Sequence, residues 1–246
     1  MSNLENYEEE MDPISQFGTR LYWDETYEGR GDFPMEEYSW YYGWDDNIKK
    51  IWMETVVPNL NSSQEDPKSS KILIPGIGND AIILDLFGSG WKFITAFDYT
   101  QSAIDRQNDL LLYTPDIRKS LEERDIELYV MDATNLNENE VIGESILLDD
   151  FDNEDKVDTK WTNKFEIVFE KGALDAIYLS SSENEERLRA AVTELRRVLQ
   201  TGGIFVSCSG VVPEELRRSM FPTNEWVWLR DGSEDLQAGC FVWKKI

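Results

Sequence analysis

The sequence predicts an α/β protein whose doubly wound, mostly parallel sheet ends in an antiparallel hairpin. Three observations carry that expectation. Apolar, β-rich runs alternate with helical patterns from about residue 72 to 209. The first run leads straight into two close glycines, in KILIPGIGNDAIILDLFG (71–88). The last two runs, EWVWLRD and GCFVWKKI, are joined by too few residues for a crossover helix, so they pair antiparallel.

Residues 1–12 are charged and almost free of apolar side chains, which predicts disorder. Between Phe17 and Trp52 the composition changes, and 11 of the chain's 30 aromatic residues fall there, in LYWDETYEG and EYSWYYGWDD. NSSQEDPKSS (61–70) is a loop by composition and delivers the chain to its first strand. The expected order is then a strand near 72–75, a helix from about 79, and a strand, KFITAF, ending at Asp98. A helix over 101–113 and strands over 126–131 and 165–170 follow, then a helix over 184–200 and a strand over 203–209. One segment interrupts the alternation: residues 138–158 carry nine acids and one lysine. It is expected to be an inserted surface loop, either merely solvated or a docking arm for a basic partner. The chain thus divides into an acidic, aromatic extension over 1–60 and a domain over 61–246.

Composition narrows the function classes. A chain of 246 residues can bury a sizeable core. No run approaches the roughly 18 apolar residues of a membrane span, so no membrane partner is expected. MSNLENYEEEMD has neither the apolar core of a secretory signal nor the arginines of a transit peptide. Cys208 and Cys240 are far apart in sequence and there is no histidine, so no metal site is expected. A reducing, cytoplasmic location is the simplest one. The net charge of −25 repels phosphate backbones, which argues against nucleic acid, and attracts basic proteins. Acidity for solubility alone is an equally open explanation.

Gly76 and Gly78 end the first strand, where a ligand in such a sheet approaches the backbone closely. Asp98 lies 22 positions after Gly76 at the end of the second strand, where an acid binds ribose hydroxyls. Nicotinamide enzymes and S-adenosylmethionine (SAM)-dependent methyltransferases share these features. Other motifs separate them. YWDETYEG, YSWYYGWDD, ILIPGIGND, AFDYT, VMDATNL and FEKGALDAI occur in order over roughly residues 17–210. In them the chain resembles class I SAM-dependent methyltransferases, within the group that includes lysine methyltransferases of translation elongation factor 1A. The resemblance implies a Rossmann-like, seven-stranded methyltransferase sheet with SAM as cofactor. It also implies a basic protein substrate, such as an elongation factor, methylated on lysine.

The resemblance implies roles for individual residues. Trp23, Tyr27 and Trp40 would close over the cofactor, although such aromatics can equally pack the extension onto the sheet. Tyr41, Tyr42 and Trp44 are expected only to pack. Gly76 would lie against the methionine portion and Gly78 would also bind the cofactor, with Asp98 on the ribose and Tyr99 beside the adenosine. Asp132 and the amide of Ala133 would read the adenine edge, Asp132 being also a natural turn former. Lys171 would pair with the methionine carboxylate or stay solvated. Glu170 and Asp175 are the acids nearest the methyl-transfer position, as catalytic groups or as ordinary ion-pair partners. Two departures stand out: Pro75 occupies the place where many class I enzymes carry an acid, and the acidic insertion is longer than the group's connection. A small-molecule methyltransferase and a non-catalytic, cofactor-binding interaction module are the alternatives. A nicotinamide dehydrogenase would leave the N-terminal aromatics and FEKGALDAI unexplained.

Overall fold

A computed structural model describes residues 15–30, 40–60, 66–136, 161–181 and 183–246. The expected disordered stretch 1–12 and the acidic insertion 138–158 lie outside the described residues. Seven strands form one sheet: β1 (Ile72–Pro75), β2 (Ile94–Asp98), β3 (Ile126–Val130), β4 (Phe165–Lys171), β5 (Leu199–Ser209), β6 (Trp226–Arg230) and β7 (Gly239–Lys245). Their order across the sheet is β3-β2-β1-β4-β5-β7-β6. The first five named in that row run parallel, and β7 is antiparallel to both β5 and β6.

The central strands are apolar at successive positions because both faces of the sheet are covered. Ile72 and Ile74 of β1 join one core, with Ile94, Ala96, Ile167, Phe169, Ile204 and Val206. Leu73 faces the other, with Phe97, Tyr129, Val168 and Phe205. Across β5 and β7 the same alternation puts Cys208 opposite Cys240, with 3.3 Å between two free, buried thiols. Their separation in sequence concealed that they are neighbours.

The crossover helices are α2 (Ile82–Gly88), α3 (Gln101–Leu112), α4 (Pro115–Glu122), α5 (Ala173–Leu179), α6 (Asn184–Val198) and α7 (Glu214–Met220), preceded by α1 (Arg20–Tyr27). Two boundaries differ from expectation. The helix expected from about 79 begins at Ile82, because Gly76 and Gly78 keep positive φ angles and the Asp80 carboxylate accepts the Ile82 amide at 2.9 Å. The helix expected to reach 200 stops at Val198, because Leu199 turns extended and pairs with Phe165.

A helical run over 44–59, with two wide π turns, lies on the face that carries Ile72 and Ile74. Trp44, Ile48, Ile51, Trp52 and Val56 face the core at helical spacing. Trp52 meets Trp91 at 5.4 Å and Phe169 at 5.7 Å, both edge-on. Trp52→Ala is expected to lose about 3–5 kcal/mol of unfolding free energy in urea titration. Met53→Ala, on the exposed side of the same turn, is expected to stay within about 0.5 kcal/mol.

Candidate ligand site

Strand β1 is paired on both edges, with β2 on one and β4 on the other. The crossover direction reverses there, and the chain beyond its C-terminal end is free to meet a ligand. That chain is the glycine turn, with φ of 61° at Gly76 and 53° at Gly78, angles that side chains other than glycine's rarely adopt. Side chains hold the turn from two directions. The Gly78 amide donates to the Asp98 carboxylate at 3.0 Å. From α3, the fully buried Gln107 amide donates to the carbonyls of Gly78 at 2.9 Å and Asp80 at 2.8 Å.

Helix α1 lies over this turn. Asp24 accepts a 2.8 Å hydrogen bond from Ser102 of α3, and the rings of Trp23 and Tyr27 stack at 5.8 Å and 21°. Trp40 stands edge-on to Trp23 at 5.4 Å. A Cβ built on Gly78 would sit 2.5 Å from the Tyr27 hydroxyl oxygen. The absent side chain therefore makes room for the Tyr27 phenol, whose pKa burial and the nearby Asp98 raise well above the ordinary value.

Between the turn and α1 lies a cavity of about 270 Å³. Trp23, Tyr27, Trp40, Gly76, Gly78, Asp98, Tyr99, Asp132, Ala133 and Lys171 all line it, although the chain separates the first from the last by 148 positions. Asp98 is 3% exposed, and burial raises its pKa against the opposing pull of bonds from Thr100 and Gly78. Asp132 accepts both the amide and the hydroxyl of Thr134 at 2.8 Å, so it forms its turn as well as facing the cavity. Arg187 stands 4.0 Å from it. Lys171 is not solvated: its ammonium is ion-paired with Asp80, both side chains being nearly buried, and donates to the Tyr42 carbonyl at 2.8 Å.

The two acids considered as catalytic groups are placed differently. Glu170 is 0% exposed and outside the lining, behind the wall. Its carboxyl accepts the Leu174 amide at 3.2 Å and is hydrogen-bonded to Ser207. Alternation along β4 explains this, since Lys171 points into the cavity and its neighbour therefore points away. Asp175 does line the cavity, but both its oxygens are occupied. One accepts from Ser209 and the amides of Val211 and Val212 at 2.6–3.2 Å; the other accepts from Tyr41 at 2.5 Å and Gly210 at 2.8 Å. Five donors make it a fastening point for the loop after β5.

Sequence reasoning also passed over two lining residues. Tyr41, expected only to pack, faces the cavity and donates to Asp175. Its φ of 65° and the 2.9 Å bond from the Tyr42 amide to the Trp40 carbonyl form a tight three-residue turn that no residue pattern announces. Asp80 could have been noticed as the one acid inside GIGND.

Gly78→Ala adds a methyl group against the Tyr27 hydroxyl at an unfavourable φ, and is expected to cost about 1–3 kcal/mol of stability. Tyr27→Phe in the same chain should recover part of that loss, visible as non-additivity in a double-mutant cycle. Glu170 gives a pH signature. Burial, reinforced by the Asp175 charge, pushes its pKa from 4.5 up to about 8. The folded state then keeps a proton that the unfolded chain has lost, so this group's contribution to stability falls as pH rises from 4.5 towards 8. Melting curves of Glu170→Gln across that range should be flatter than the wild type's, with the variant gaining ground at the alkaline end.

No protein-family model matches the chain. It is similar to EEF1A lysine methyltransferase 2 of Danio rerio, 26% identical over 204 residues that cover 79% of this chain and 70% of the relative. The Homo sapiens EEF1A lysine methyltransferase 2 is 27% identical over 208 residues, covering 82% and 72%. Among solved structures, magnesium protoporphyrin IX methyltransferase from Synechocystis, with bound SAM, superposes with a TM-score of 0.50 at 10% identity, over 72% of this chain and 71% of its own. The [4+2]-cyclase SpnF superposes with a TM-score of 0.52 at 17% identity, over 90% and 76%. The fold is the Rossmann-like fold of class I methyltransferases, and in sequence the chain resembles the EEF1A lysine methyltransferases.

Proposed function

We propose that the protein is a SAM-dependent protein-lysine N-methyltransferase acting on a basic protein, with a translation elongation factor as the leading candidate. The observation that carries the cofactor is the convergence of ten residues, from five segments of the chain, on one cavity beside the glycine turn. The elongation-factor substrate rests on the likeness to the EEF1A lysine methyltransferases. The extension over 1–60 would then serve as the cover of the cofactor site.

The residues present fit an adenosyl sulfonium. Gly76 and Gly78 line the cavity at the turn, and Asp98 reaches the same cavity. Asp98 is oriented by Gly78 and Thr100 to accept from ribose hydroxyls. Asp132 and the Ala133 amide stand beyond β3 to read the adenine edge. Tyr99, Phe97 and Met131 supply apolar walls. When bound, SAM supplies an electrophilic methyl group on a positively charged sulfur. Trp23, Tyr27 and Trp40 present aromatic faces that attract such a cation and exclude water.

The chain contributes chiefly alignment and desolvation. A lysine acceptor must be neutral, and from a pKa of about 10.4 its deprotonation at pH 7 costs about 4.6 kcal/mol. Asp175 is occupied by five donors, and Glu170 is off the cavity and holds its own proton near neutrality. Neither is assigned as the base. The apolar walls lower the acceptor's pKa instead, by penalising the ammonium form.

A small-molecule acceptor is the second reading. The aromatic cover favours it, as does the occurrence of this fold in a porphyrin methyltransferase and in a cyclase. Calorimetry with S-adenosylhomocysteine should give binding, and labelled SAM with purified elongation factor 1A should give label on lysine. Label only on small molecules would favour the second reading, and binding without any transfer would favour an interaction module. With the chain's charge of −25 steering a basic substrate, kcat/KM should fall as salt rises. A flat profile would remove the electrostatic argument.

A further inference from the structure

The ion pair between Asp80 and Lys171 lies on the cavity wall, with side chains 9% and 6% exposed. It joins the glycine turn to the end of β4, across the point where the sheet's winding reverses. A pair so deeply buried stabilises a fold weakly, because desolvation offsets most of the attraction. Each partner is also held from outside the pair. The Asp80 carboxylate accepts the Ile82 amide at 2.9 Å, and the Lys171 ammonium donates to the Tyr42 carbonyl at 2.8 Å. Both charges are thus fixed in place independently of each other.

We infer that this pair is the receptor for the α-amino-acid end of the ligand, and opens to exchange one internal ion pair for two with a zwitterion. Asp80 then accepts from the ligand's ammonium and Lys171 donates to its carboxylate. The inference rests on the adenosyl-ligand reading above and deepens it. The complement of a fixed anion beside a fixed cation is a molecule carrying one of each. An α-amino carboxylate has both charges one carbon apart. The exchange leaves the net charge of the cavity unchanged, so no buried charge is stranded.

The other charged groups on the wall are committed elsewhere. Asp98, held by Gly78 and Thr100, is assigned to the ribose hydroxyls, and Asp175 is taken up by its five donors. Asp132, after β3, accepts from Thr134 and has Arg187 4.0 Å away. Pro75, ahead of the first glycine, has no carboxylate to offer.

Two probes test this: S-adenosylhomocysteine, which carries the amino-acid end, and 5′-methylthioadenosine, which lacks it. Each is titrated calorimetrically into the full chain and into Asp80→Asn, Asp80→Ser and Lys171→Met. The wild type is expected to prefer S-adenosylhomocysteine. Each variant is expected to lose about ten- to hundredfold of that preference, as for a charged hydrogen bond. Affinity for 5′-methylthioadenosine, which also reports that the site is folded, should stay within about threefold. An unchanged preference in a variant that binds 5′-methylthioadenosine overturns the assignment. Equal loss of both probes also overturns it, since the pair would then only hold the site's shape. A wild type that binds neither probe overturns the adenosyl-ligand reading itself, and a wild type that binds both equally overturns only the receptor role of the pair.

Discussion

A single carboxylate almost out of reach of water organises the site. Asp98 takes the amide of Gly78 on one oxygen and the amide and hydroxyl of Thr100 on the other. The first contact fixes the turn after β1 in a conformation only glycine adopts comfortably, and that bare backbone lets Tyr27 of α1 come close. The second contact positions Thr100, whose hydroxyl accepts the Ala103 amide and so starts α3. Four residues beyond Ala103, about one turn along α3, Gln107 reaches back and donates to the carbonyl of the same Gly78. Both polar groups of one glycine are thus held by one strand and the helix that follows it. Burial raises the pKa of Asp98, and the donors around it oppose that rise.

The two acids next to the cavity belong to the same framework. Asp175 binds two separate pieces of chain: Tyr41 from the N-terminal side, and the stretch from Ser209 at the end of β5 to Val212. Glu170 fastens the start of α5 to β5 from behind. They tie together the chain behind and along the cavity wall, which also carries Asp80, Lys171, Asp98 and Asp132.

Much of this was legible in the sequence, for identifiable reasons. Strands buried on both faces write themselves as continuous apolar runs, so ILIP, ITAF and FEIVFE stood out. The antiparallel end followed from a connection too short for a helix. Trp23 and Tyr27, four apart, share a helix face by simple periodicity. What escaped depended on side-chain caps, strand register and single backbone angles, which hydropathy does not record. The start of α2 is set by a side-chain cap from Asp80 and not by hydropathy. The meeting of Cys208 with Cys240 is a matter of strand register. Which of two adjacent tyrosines enters the cavity is decided by one backbone angle, at Tyr41.

That angle has a consequence for how the protein can vary. Tyr41 and Tyr42 leave the chain in different directions: the first to Asp175, the second to the backbone of Gln237 and Ala238 before β7. The carbonyl between Tyr42 and Gly43 meanwhile receives Lys171. Three anchors within two residues fix the length of the chain here more tightly than its composition. Exchanging one ring for another disturbs a single anchor. Inserting or deleting one residue between Trp40 and Gly43 displaces all three together, so lineages of this protein should drift in side chains at this spot while keeping the spacing constant.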